Sequence, residues 1–136
     1  FYGSIHSRKP FYTAVMVSIA GFMSSPFFSV YGASKAALKI FIESVNVELK
    51  KSGTDNRILN VSPGRINGTN FYNGANNLSL LYPLADEIIY HMNNRNDLFI
   101  PEYEEVFKKV LERYHRDFRA EGEHSYEYKQ EQLKRK

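Results

Sequence analysis

The apolar positions of the chain follow two different periods. Ala14-Val-Met-Val17 is a short continuous apolar run with Ser18 behind it. A run that short, holding two valines and followed by a turn, predicts a buried strand. From about Ser29 to Ser52 the period changes: Leu38, Phe41, Val45 and Leu49 recur every three or four positions, while Lys39, Glu43, Asn46 and Lys50 fall on the other side. That stripe predicts an amphipathic helix, and Gly53 stands where a left-handed cap would close it. Arg57-Ile-Leu-Asn-Val-Ser62 is the next strand, ended by Pro63-Gly64. From Pro83 to about Asn94, proline stands at the start and Leu84, Ile88, Ile89 and Met92 share one face, which predicts a second helix. Leu98-Phe-Ile100 is a third short strand, stopped by Pro101. A last helix is expected from Glu102 to Phe118. Its apolar positions include Val106, Phe107, Val110 and Leu111, and Glu102, Glu104 and Glu105 lie in its first turn, where the helix dipole favours acids.

The segments between are less periodic. Residues 1–13 mix aromatic and polar side chains and are read as helical up to Lys9, with Pro10 disturbing the run. Residues 21–26 are a loop. Residues 65–82, rich in Asn and Gly, form a long loop of the kind that serves as a lid or binding loop. After Arg119 the chain is polar and poorly periodic, so 119–136 is read as a polar tail. Strands alternating with helices predict parallel strands joined by crossover helices. The expected fold is α/β, a partial doubly wound (Rossmann-like) parallel sheet of about three strands, in one domain over 1–136. The strand at Val15 has an edge with no predicted neighbour. Bare edges invite pairing, so the chain alone is expected to dimerise or to be poorly soluble.

Composition narrows the class. At 136 residues, 43% hydrophobic and 15% aromatic, the chain can build one core. It has no cysteine, which excludes disulfides, thiolate metal sites and a cysteine nucleophile. No apolar run approaches the roughly 20 residues that span a bilayer, and residues 1–13 show no charged-then-apolar signal pattern. The reading is a soluble, cytoplasmic protein with no membrane partner, and the sequons Asn67-Gly-Thr69 and Asn77-Leu-Ser79 are then chance matches. The net charge is +3, with much of the excess at Lys129 and Lys134-Arg135-Lys136. That cluster is read as a solvated, frayed terminus rather than a nucleic-acid contact, since no zinc-finger spacing or RNA-binding signature accompanies it. His6, His91, His115 and His124 show no metal-ligand spacing, so no metal is expected.

The candidate chemistry lies in Ser18-Ile-Ala-Gly21 and Tyr31-Gly-Ala-Ser-Lys35. Tyr31 and Lys35 are four apart at a helix start and so share a face. A phenol is a poor acid or base at neutral pH, but an ammonium close by stabilises the phenolate. Such a pair can exchange a proton with a substrate hydroxyl or carbonyl. A serine hydroxyl at the end of a strand can hydrogen-bond the same oxygen and steady developing charge. Tyr-x-x-x-Lys alone is a weak signal: an ordinary amphipathic helix would place Tyr31 in the core and Lys35 in solvent. No Gly-x-Ser-x-Gly elbow makes Ser18 a hydrolase nucleophile.

Context sharpens the pair. Ser18-Ile-Ala-Gly21, the thirteen-residue step to Tyr31, Tyr31-Gly-Ala-Ser-Lys-Ala-Ala-Leu38, Phe41 to Leu49, and Arg57-Ile-Leu-Asn-Val-Ser-Pro-Gly64 fall together in one order. In this the sequence resembles the short-chain dehydrogenase/reductase family, densely over residues 14–69 and loosely to Phe118. The resemblance implies a doubly wound sheet, NAD or NADP as cofactor, and hydride transfer between it and a small-molecule alcohol or ketone. It implies Tyr31 as acid/base, Lys35 as the group that supports Tyr31 and holds the nicotinamide ribose, and Ser18 as the group that orients the substrate oxygen. Pro63, Gly64 and Ile66 would flank the nicotinamide. A threonine usually follows Pro-Gly at a set distance; here Gly68 occupies that place and Thr69 comes one later. The resemblance also implies a homo-oligomer, dimer or tetramer, packed through the helix that bears Tyr31.

The same comparison marks what residues 1–136 do not contain. No Gly-x-x-x-Gly-x-Gly turn follows a strand, and no Asn-Asn-Ala-Gly element is present. Phe1-Tyr-Gly-Ser-Ile-His6 resembles the helix that follows the family's active-site asparagine, and residues 10–17 look compressed. The chain is therefore read as the C-terminal catalytic portion of such a fold, without its dinucleotide-binding half. It is expected to bind cofactor weakly or not at all by itself. The alternative reading is an inactive remnant that serves as a dimerising module. Phe71, Tyr72, Leu80, Leu81 and Tyr82 are candidates for an apolar substrate pocket or for packing within a lid.

Overall fold

Three short parallel strands carry the architecture of the computed structural model, which describes residues 9–70 and 75–134 together with Gly3 and Ser7. Strand β1 is Thr13–Met16, β2 is Ile58–Val61 and β3 is Leu98–Phe99, in the order β1-β2-β3. Thr13 pairs with Ile58 and Met16 with Val61; Asn60 pairs with Leu98 and Val61 with Phe99. Helix α1 (Ser29–Lys51) connects β1 to β2, and helix α2 (Tyr82–Asn93) connects β2 to β3. All four residues of β2 are buried. Successive side chains of a strand point to opposite faces, so both faces of the central strand are covered, as parallel sheets require.

The core forms where α1 lies on the sheet. Ile42, Val45 and Leu49 of α1 pack with Val17 and Ile58, and Phe11, Val15 and Leu38 close the cluster. The buried stripe thus runs through Ile42 rather than through the expected Phe41, which is exposed. Val30, Ile40 and Val47 are exposed as well, so α1 presents a second apolar face to solvent. The helix ends as its glycine predicts: Gly53 has φ +78°, its N–H donates to Lys50 O, and the Thr54 N–H reaches back to Leu49 O. These are the paired bonds of a Schellman cap.

The C-terminal third departs from the expected pattern. The single helix over 102–118 is instead a π-helical turn, Tyr103–Phe107, followed by helix α3, Lys108–Arg116. The expected polar tail over 119–136 is helix α4, Phe118–Lys134. Asp117 makes the break. Its backbone is extended (φ −152°, ψ 95°), and its carboxylate accepts from the Arg119 and Ala120 N–H groups at 3.1 Å each. That is an N-cap. Glu121, buried on α4, then takes Arg113 of α3 in two hydrogen bonds of 2.6 and 3.2 Å. Phe27 stacks on Tyr126 with ring centroids 4.7 Å apart. Polar and aromatic contacts dock this helix, so hydrophobic periodicity did not mark it. Among the described residues no helix is long and apolar enough to cross a membrane. The segment resembling a helix at residues 1–6 lies mostly outside the described residues.

Candidate active site

The site is built at the carboxyl ends of β1 and β2. Pairing continues past the strands: Val17 N–H donates to Val61 O at 2.8 Å, and Ile19 N–H to Pro63 O at 3.0 Å. Ser18 therefore sits two residues beyond β1 rather than ending it. Its Oγ accepts from the Ala20 N–H at 3.1 Å and caps a tight 3₁₀ turn, Ile19–Gly21. A hydroxyl that accepts in this way keeps its own proton to donate.

That turn backs directly onto α1. A Cβ at Gly21 would lie 2.8 Å from the Lys35 carbonyl carbon and 2.9 Å from its oxygen, both backbone atoms. Gly21→Ala is accordingly expected to push the turn off the helix, costing about 1–3 kcal/mol and separating Ser18 from Tyr31. Urea titration checks the first effect. A variant of unchanged stability would contradict the close approach.

Tyr31 is half-buried in the first turn of α1. Lys35, one turn on, donates from Nζ to Met16 O at 3.0 Å and lies 5.6 Å from the centre of the Tyr31 ring. The four-residue spacing thus gives a lysine tethered to the strand end beside the phenol. Ser18, Tyr31 and Gly64 line one cavity of about 510 Å³. Such volumes suit small-molecule ligands.

The remaining expected site residues stand behind or beside it. Lys35, Pro63, Ile66 and Thr69 do not line the cavity. Pro63 is buried, its carbonyl tying the two strand ends together. Thr69 Oγ1 donates to Ile66 O at 2.9 Å, so its proton is held within its own loop. The Phe107 ring covers Gly64 closely enough to leave no room for a Cβ there. Leu80, Leu81 and Tyr82 do not line the cavity, and Leu80 packs over Gly68. Phe71 and Tyr72 lie outside the described residues.

The other wall comes from segments with no motif. Val106, Phe107, Val110 and Arg113 arrive from the π turn and α3, and Glu121, His124, Ser125, Tyr128 and Lys129 from α4. Lys129 is not a frayed, solvated charge. Its Nζ donates to Ser25 Oγ at 2.8 Å and Pro26 O at 3.2 Å, and lies 5.4 Å from the centre of the Phe28 ring. The one available clue was negative: from Phe118 to Lys134 no proline interrupts a run rich in helix formers.

Residues 14–77 match the family model described as short chain dehydrogenase, a stretch that contains Ser18, Tyr31, Lys35, Pro63, Gly64, Ile66 and Thr69. The chain is 40% identical over 65 residues to Uncharacterized oxidoreductase TDA5 of Saccharomyces cerevisiae, a match covering 47% of this chain and 20% of that relative. The matched stretch thus spans a fifth of the relative's length. No solved structure matches the chain. With its serine, tyrosine and lysine assembled at the strand ends inside the matched stretch, the chain is similar, over residues 14–77, to the short chain dehydrogenase family.

Proposed function

We propose that the protein is an NAD(P)-dependent oxidoreductase that interconverts an alcohol and a carbonyl compound, with Ser18, Tyr31 and Lys35 as its reactive set. The observation that carries this reading is that Ser18 and Tyr31 open onto one cavity while Lys35 is tethered beside the Tyr31 ring. Ligands of open α/β sheets sit in the crevice outside the carboxyl ends of the strands, and that is where these groups gather. Toward the nicotinamide end of a dinucleotide, Tyr31 and Lys35 would hold the ribose, and the Pro63-Gly64 backbone would flank the ring. Ile66 and Thr69 would lie further along the same side. When bound, the nicotinamide would supply or accept the hydride.

The chain's own part is proton and charge handling. In the reducing direction, the Ser18 hydroxyl donates to the carbonyl oxygen and fixes its position. The Tyr31 hydroxyl gives its proton to that oxygen as it gains negative charge. Lys35 stands beside the phenolate so formed, and opposite charge favours it. In the oxidising direction Tyr31 takes the proton back.

Within residues 1–136 no glycine-rich turn follows a strand, and such a turn is what offers backbone N–H groups to the pyrophosphate. The 136-residue chain alone is therefore expected to show no saturable micromolar binding of NADH or NADPH, monitored by nicotinamide fluorescence. Micromolar binding by this chain would refute the expectation. The exposed apolar residues of α1, Val30, Ile40, Phe41 and Val47, support self-association through that helix. The lack of cysteine suits a reducing compartment such as the cytoplasm.

A further inference from the structure

The elements that complete the cavity bring charge as well as cover. Arg65, Arg113, Glu121, His124 and Lys129 are its ionisable lining beside Tyr31 and Tyr128. The Glu121 carboxylate is committed to Arg113 by two hydrogen bonds, so that pair is neutral in sum. Arg65 is exposed. Lys129 is different: it is half-buried, and among the described residues no carboxylate pairs with it.

Its partners are neutral. An ammonium has three protons to donate; two go to Ser25 Oγ and Pro26 O, and neither acceptor carries a compensating charge. Holding a cation away from water without a counter-charge is costly, and burial pushes the Lys129 ammonium down from its ordinary value. The apolar lining of the cavity includes Met23, Phe28, Phe107 and Val110. Apolar walls with one fixed charge are how small-molecule sites orient a ligand that has one charged end.

We propose that Lys129 is a specificity residue that binds a carboxylate on the substrate, so that the protein acts on hydroxy or oxo acids with a hydrocarbon body. This rests on the oxidoreductase reading, which supplies the partners, Ser18 and Tyr31, for the hydroxyl or carbonyl end. One half-buried cation unmatched by any carboxylate suits a monoanion, whereas a phosphate would call for further donors. The third ammonium proton would make the charge-assisted bond, the stronger class of hydrogen bond. Lys129 would then act as a seat prepared by Ser25 and Pro26, not only as a pin holding α4 to the loop before α1.

The test compares 4-oxooctanoate with its methyl ester on the full-length protein, by ligand-observed NMR, in the wild type and in Lys129→Met, Lys129→Arg and Tyr31→Phe. The acid is expected to bind the wild type about 10-fold or more tightly than the ester. The preference should vanish in Lys129→Met, survive in part in Lys129→Arg, and persist in Tyr31→Phe. Equal affinities in the wild type, no binding of the acid, or a preference that persists in a folded Lys129→Met each overturn the proposal. The wild-type comparison decides even if Lys129→Met fails to fold. The oxidoreductase reading fails separately: the acid would bind with its Lys129-dependent preference, yet no alcohol or carbonyl compound would be turned over with NAD(P)(H).

Discussion

If Tyr31 is the proposed acid/base, replacing it with phenylalanine is expected to lower turnover about 100- to 10,000-fold, the range lost when a positioned acid/base is removed. The substitution deletes one oxygen from a half-buried side chain on the cavity wall. The ring remains, so the 5.6 Å approach of Lys35 Nζ to its centre can persist. Ser18, capping its own turn through the Ala20 N–H, is untouched. What disappears is the proton exchanged with the substrate oxygen. The loss should therefore fall on kcat, with substrate affinity nearly unchanged. Nicotinamide absorbance gives the rate and a thermal melt confirms the fold. Turnover within a few-fold of wild type, in a folded Tyr31→Phe protein, would remove Tyr31 from the mechanism.

The second large effect is structural and concerns Asn46. Along one edge of β2 the N–H groups of alternate residues point the same way. Those of Asn60 and Ser62 donate to Asp97 O and Phe99 O of the β3 segment. Two residues earlier, at Ile58, β3 has run out. There Asn46 of α1 substitutes for a strand: its Oδ1 accepts from the Ile58 N–H at 2.9 Å and its Nδ2 donates to Ile58 O at 2.8 Å. Asn46 and Ile58 are both buried. Asn46→Leu keeps the number and branching of side-chain heavy atoms and strands both backbone groups away from water. Each buried unmade hydrogen bond costs about 1–3 kcal/mol, so a loss of about 2–6 kcal/mol is expected for the two. The urea midpoint should fall with little change in slope. A shift below about 0.5 kcal/mol would mean that water or backbone movement satisfies Ile58.

These two residues also show how far the chain could be read before folding. Tyr31 and Lys35 were legible because helical spacing is local: four residues put two side chains on one face whatever surrounds them. The strands at β1 and β2 were legible for a similar reason, as short apolar runs bounded by turns. Gly53 was legible because a left-handed cap requires a residue without a Cβ. Asn46 could not be found this way. It reads as a polar position on the solvent side of a stripe, and only the end of β3 turns it into a core hydrogen-bonding group. The choice of Ile42 over Phe41 for the buried stripe likewise depends on where the sheet lies, because both satisfy a helical repeat.

Sequence alone thus determined the parallel α/β order, the Tyr31–Lys35 face and the presence of a turn after the first strand. Each depends on backbone preferences and side-chain periods that act over a few residues. Tertiary structure alone decided what faces them. Helix α4 docks through the Arg113–Glu121 pair, the Phe27–Tyr126 stack and the seat of Lys129 on Ser25 and Pro26. Those contacts join residues 8, 99 and 104 positions apart. Most are polar or at the surface, and a polar contact leaves no period in the chain: its partner is set by where the fold brings the two groups together.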